Sequence, residues 1–119
     1  MHELSIATEI LRLARRTVAE GGGGRLEAVR VAVGELSAIE PDLLSFAWEA
    51  LTADGPDAAS RLVVDFRACR QLCSSCGVVP GRAPGEWLRL CPSCEAPLRV
   101  EGGDELDLLS VTFETEEPS

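Results

Sequence analysis

The chain has no tyrosine, one histidine, one methionine and 4% aromatic residues among its 119. A single imidazole excludes any site built on paired histidines, and so few rings leave no aromatic shell for a redox centre. Positive charge is scarce too: 11 basic residues against 20 acidic ones give a formal net charge of −9, which argues against holding phosphate backbones or anionic membranes by charge. No run is long and apolar enough to cross a bilayer, and the beginning lacks the basic-then-apolar pattern of a signal peptide. The expected setting is therefore the reducing cytoplasm, where thiolates are free to bind metal. No nucleophile stands at a recognisable spacing from a base. The glycines Gly21 to Gly24 precede a strand pattern and do not match a phosphate-cradling G-x-x-x-x-G-K loop. The chain does not read as an enzyme.

What the chain does have is cysteine at metal-ligand spacing. Cys73-Ser-Ser-Cys76 and Cys91-Pro-Ser-Cys94 are separated by the fourteen residues 77–90. Two such tight turns present four thiolates to one ion at the corners of a tetrahedron, the geometry of structural zinc. Gly77 suits the left-handed conformation that follows such a turn, whereas Glu95 occupies the same place after Cys94, so the second turn is expected to be more strained. Iron would fit four thiolates as well, and a small iron electron carrier would betray itself by colour; zinc is the default. The segment is too short for an adequate core of its own and would lean on a metal, whose binding to such modules contributes roughly 10–16 kcal/mol. Cys69, the fifth cysteine, reads as a free thiol or, failing that, as a competitor for Cys73.

Taken in order, Leu4, Ala7, Leu11, Ala14 and Val18, widened by Ile6 and Ile10, predict an amphipathic helix over 4–18, ended by the four glycines. Leu26 to Val33 alternates as a half-buried strand, with Val29, Val31 and Val33 on one face. Pro41 opens a second helix in which Leu44, Ala47, Trp48 and Leu51 share a face, stopped at Asp54-Gly55-Pro56. Leu62 to Phe66 is a second strand, with Leu62, Val64 and Phe66 on one side. Asp104 to Thr115 is a third, and the change of phase between Leu108 and Leu109 predicts a bulge. The result is an α+β domain: two helices packed on a roughly three-stranded sheet, with an inserted zinc-ribbon-like module. The boundaries fall at 1–68, completed by 99–119, for the body and at 69–98 for the module.

The amino end is a second candidate site. The α-amine of Met1, the backbone nitrogen of His2 and its ring Nδ1 could wrap one ion in a planar nitrogen field, which suits nickel(II) or copper(II) better than zinc. Met1-His2-Glu3, the segment Val33-Gly-Glu-Leu-Ser-Ala-Ile-Glu-Pro41, the two cysteine pairs and Gly103-Asp-Glu-Leu106 occur in an order that spans nearly the whole chain. In these pieces the chain resembles the HypA/HybF family of nickel metallochaperones, which serve nickel-iron hydrogenases and in some organisms urease. The resemblance implies nickel at Met1, His2 and Glu3, structural zinc on Cys73, Cys76, Cys91 and Cys94, and two partners: a GTP-hydrolysing accessory protein and the hydrogenase large subunit. Glu40 and Asp42 are candidates for a further nickel ligand, although acids around Pro41 suit the helix dipole and that is the preferred reading. The competing function is a zinc-ribbon adaptor recruiting a protein or nucleic acid, since Arg67, Arg70, Arg82, Arg89 and Arg99 make the insert locally basic.

Overall fold

The computed structural model describes the backbone of residues 2–115 and the side chains of 3–115. The chain runs α1 (His2–Glu20), β1 (Gly24–Gly34), a 3-10 turn (Glu35–Ser37), α2 (Pro41–Thr52), β2 (Arg61–Arg67), β3 (Arg70–Cys73), β4 (Gly77–Val78), β5 (Leu98–Glu101) and β6 (Leu106–Thr115). One sheet has the order β2-β1-β6, and β3 to β5 form a second, small sheet in the order β4-β3-β5.

In the larger sheet β2 lies parallel to β1 and β6 antiparallel to it. Parallel neighbours need a crossover, and α2 supplies it. Ala7, Ile10, Ala14 and Val18 of α1 meet Val29, Val31 and Val33 of β1 and Leu44, Ala47 and Trp48 of α2 in one core. Each full-size aliphatic side chain buried there contributes about 1.5–3 kcal/mol. The indole of Trp48 donates to the Ser60 hydroxyl at 3.1 Å, so its one polar atom is satisfied inside the core. The buried carboxylate of Asp57 accepts from Leu26 N at 3.0 Å and Arg15 at 3.2 Å, tying the loop before β2 to both α1 and β1.

Helix α1 stops because Gly22 takes φ +106°, a left-handed step that lets Gly23 N reach Val18 O at 2.8 Å and Gly22 N reach Ala19 O at 3.3 Å. The bulge in β6 is where the pattern put it. Arg30 pairs with Ser110 and Val31 with Leu108, so Leu109 is the extra residue, and Leu108 and Val111 both reach the core as a result. A second irregularity, at Glu27 of β1, had no counterpart in the pattern.

Three apolar residues assigned to inner faces are substantially exposed: Leu4 at 41%, Leu51 at 36% and Phe66 at 44%. All three lie toward the ends of their elements. The small sheet was not foreseen. Its strand β5 pairs Arg99 to Glu101 with Leu72 to Arg70, so the module's ladder extends past residue 98.

Candidate metal centres

The small sheet builds the cysteine site. Strand β3 ends at Cys73, the chain turns through Ser74 and Ser75, and β4 returns with Gly77 opposite Cys73. The second turn repeats the device: Cys91 N donates to Ala96 O and Glu95 N to Cys91 O, both at 2.8 Å, before β5 leads away beside β3. Both turns leave by a left-handed residue, Gly77 at φ +83° and Glu95 at φ +63°. The strain expected at Glu95 has its backbone basis in that angle.

All four sulfurs lie within 4.8 Å of one another, and Cys73 Sγ is 3.4 Å from Cys94 Sγ. A tetrahedral ion with metal–sulfur bonds of about 2.3 Å requires edges of roughly 3.8 Å, and the cluster fits that span. The four are free thiols, Cys73 and Cys91 buried, Cys76 and Cys94 exposed. Backbone N–H groups of Cys76 and Ser75 pull the Cys73 thiol down to about 7. Those of Ser93 and Cys94 lower Cys91 in the same way. Cys76 is pushed up to about 12 by the sulfurs of Cys94, Cys91 and Cys73 around it. Each turn thus favours its first cysteine as thiolate, and crowding opposes the last deprotonation. A divalent cation removes that opposition.

Cys69 stands outside this cluster as a buried free thiol. Its sulfur donates to Glu35 Oε1 at 3.1 Å, and burial, followed by the Glu35 carboxylate, pushes the thiol up. Sequence reasoning quoted Glu35 only within the 33–41 segment and gave it no partner. Its carboxylate accepts from Arg82 at 2.6 and 3.2 Å, from Gly85 N at 2.7 Å and from Cys69 N at 3.0 Å. The Arg82 guanidinium holds the carboxyl well below the usual carboxylate range. Arg82 also donates to Cys69 O at 2.8 Å and Glu86 O at 2.7 Å, and lies 4.6 Å from the Trp87 ring centroid. The two charged side chains are only 4% and 8% exposed. Glu35 belongs to the body and its partners to the cysteine module, so this clasp joins the two.

At the amino end, α1 begins at His2, while Met1 and the His2 side chain lie outside the described residues. The carboxylate of Glu3 accepts from Glu40 N at 3.1 Å, which brings the start of α1 against the start of α2. Pro41 occupies the first turn of α2 with Asp42 beside it, as a helix dipole favours; the Glu40 side chain makes no capping bond. Of the acids singled out in the sequence, Glu3 and the backbone of Glu40 therefore meet directly.

A family model described as hydrogenase/urease nickel incorporation, metallochaperone, matches residues 1–113. The chain belongs to the HypA family. It is a nickel metallochaperone, a maturation factor that handles nickel for hydrogenase or urease. The hydrogenase maturation factor HypA of Geobacter metallireducens is 34% identical over 96% of this chain and 100% of its own length. That of Wolinella succinogenes is 35% identical over 98% of each. The solution structure of the Ni metallochaperone HypA from Helicobacter pylori, at 22% identity, covers 96% of this chain and 98% of its own with a TM-score of 0.61, a likeness of fold.

Proposed function

We propose that this HypA chain takes up its nickel cargo at the amino end, through Met1, His2 and Glu3, and hands it on during hydrogenase maturation, while zinc on Cys73, Cys76, Cys91 and Cys94 maintains the second sheet. The observation that carries the reading is the family match beginning at residue 1, with Glu3 held against the 33–41 segment by its 3.1 Å bond to Glu40. A site at the amino end can exchange its ion without unfolding the core, as delivery demands. Amine, amide and imidazole must shed protons to bind nickel, so affinity falls as pH drops toward the imidazole value of ~6.5. The four sulfurs are brought together by their turns and suit a resident ion instead.

In this reading the chain works in the cytoplasm without catalytic turnover. A GTP-hydrolysing accessory protein and the hydrogenase large subunit are its partners; nucleic acid and membrane are not. The body is 1–68 completed by 99–119, and the metal module is 69–98 with its last strand running on into 99–101. One observation favours a second reading, that of a zinc-ribbon adaptor. Trp87, Leu88 and Leu90 of the module are 47%, 39% and 48% exposed beside Arg89, a surface that a protein could cover. Nickel titration of the zinc-loaded chain and of a His2→Ala variant separates the two. The delivery reading expects about one nickel per chain, lost in the variant with zinc and fold unchanged. Equal binding by both would move the adaptor to the front.

A further inference from the structure

The clasp sits at one end of the same short segment whose other end touches Glu3. Glu35 opens the 3-10 turn, Ser37 Oγ donates to Gly34 O at 2.7 Å, and Ile39 N donates to Ser37 Oγ at 3.3 Å. Ile39 is buried, and the next residue, Glu40, donates its N–H to Glu3. One short stretch of backbone, 34–40, is therefore bonded to the cysteine module at Glu35 and to the start of α1 at Glu40, with Ser37 bridging Gly34 and Ile39 between them. Across an open cleft, Pro84 and Gly85 of the module face Glu40, Pro41 and Asp42. Gly85 is also one of the donors to Glu35, so the loop that walls the cleft is fixed by the clasp itself.

We propose that Glu35 and Arg82 are positioning residues for the nickel cargo: their buried pair sets the 35–40 segment, and through Glu40 and Glu3 it sets how firmly the amino-terminal site holds nickel. The inference rests on the amino-terminal reading above. Removing one member of a buried pair strands the other charge in a poorly hydrated place, so the clasp either holds or reorganises. Neither residue touches the ion; they act through the segment. Coupling of this kind is reciprocal, so nickel at the amino end must also tighten the clasp.

The test measures nickel Kd by chelator competition, zinc per chain and amide exchange at Gly85 and Glu40, on the zinc-loaded full chain and on Arg82→Lys and Glu35→Gln variants. Arg82→Lys keeps the charge and loses the two-pronged contact. The expected result is nickel binding weakened about tenfold in the variants, with zinc retained and faster exchange at both amides, within the ~5–150-fold range of coupled sites. In the parent chain, nickel should slow exchange at Gly85, and in His2→Ala it should not. A purely structural clasp would speed exchange at Gly85 and leave nickel Kd unchanged, and that result overturns the proposal. If Glu35→Gln fails to fold, Arg82→Lys and the nickel-dependent exchange of the parent decide. A His2→Ala chain that binds nickel as the parent does sinks the amino-terminal reading and the clasp proposal together. Loss of nickel in His2→Ala beside unchanged binding in the clasp variants sinks the clasp alone.

Discussion

The body and the cysteine module of this chain are held by different physics. The body buries Val18, Val29, Val31, Val33, Leu44 and Trp48 almost completely. In the module the buried residues are Cys69, Gln71, Cys73 and Cys91, while Val78, Trp87, Leu88, Leu90 and Val100 remain exposed. The module's interior is sulfur and hydrogen bonds. Gln71 exchanges two of these with Leu88, donating from Nε2 at 2.9 Å and accepting at Oε1 from its N–H at 3.0 Å, and so pins the loop between the cysteine pairs. Apolar burial makes the body self-sufficient, whereas the module needs an ion to join its two turns.

The most severe way to test that contrast is to strip the metal. A strong chelator removes an interaction of roughly 10–16 kcal/mol, and Cys73→Ser, which leaves three thiolates, weakens it. Amide protection should vanish across 70–101 and persist in β1 and β6, as hydrogen exchange would report; a body that melts with the module would break the comparison. The reverse experiment is Trp48→Ala, expected to cost about 3–5 kcal/mol through the cavity it leaves in the core. Thermal unfolding of the body should come at lower temperature while zinc content stays constant. Loss of zinc in step with the body would mean that the two parts melt as one.

Acid sharpens the contrast further. Glu35 is held below its ordinary value by Arg82, so the clasp's stabilisation is complete above the unfolded glutamate value of ~4.3 and is lost only as pH falls below it. Between pH 8 and about 5.5 nickel affinity should decline as the amino-terminal imidazole takes up its proton, while Gly85 amide protection in the zinc-loaded, nickel-free chain should not. Loss of Gly85 protection over that range in the nickel-free chain would contradict the assignment of these two titrations. The smallest effect is expected at the second cysteine turn. Glu95 holds φ +63° where the first turn has Gly77, so Glu95→Gly should stabilise the module by about 1 kcal/mol, seen as slower zinc loss to a chelator.

Much of this was legible in the chain's local patterns. The period of α1, the glycine stop, the opening of α2 at Pro41 and the bulge at Leu109 are short-range features, set by spacings of a few residues. The four thiols likewise announce their grouping, because each pair closes a turn of fixed size. The second sheet was hidden for the opposite reason: β4 has two residues and β3 and β5 four each, too few to show a period. The clasp was hidden as well. Glu35 meets Cys69, Arg82 and Gly85 at separations of 34, 47 and 50 residues, and none of these types in isolation implies the others. Cys69 was recognised as the odd thiol, but nothing near it pointed to Glu35.

By itself, then, the sequence determined the two long helices, the three strands of the larger sheet, the cysteine site and the family, since each rests on residue types at short fixed spacings or on motifs in a set order. Tertiary structure alone decided which apolar residues stay in water, that Glu3 reaches Glu40, and that Glu35 locks the module to the body. Those outcomes depend on which distant segments share a surface, and a buried carboxylate finds its arginine only when the fold has brought the two together and excluded the water that would otherwise separate them.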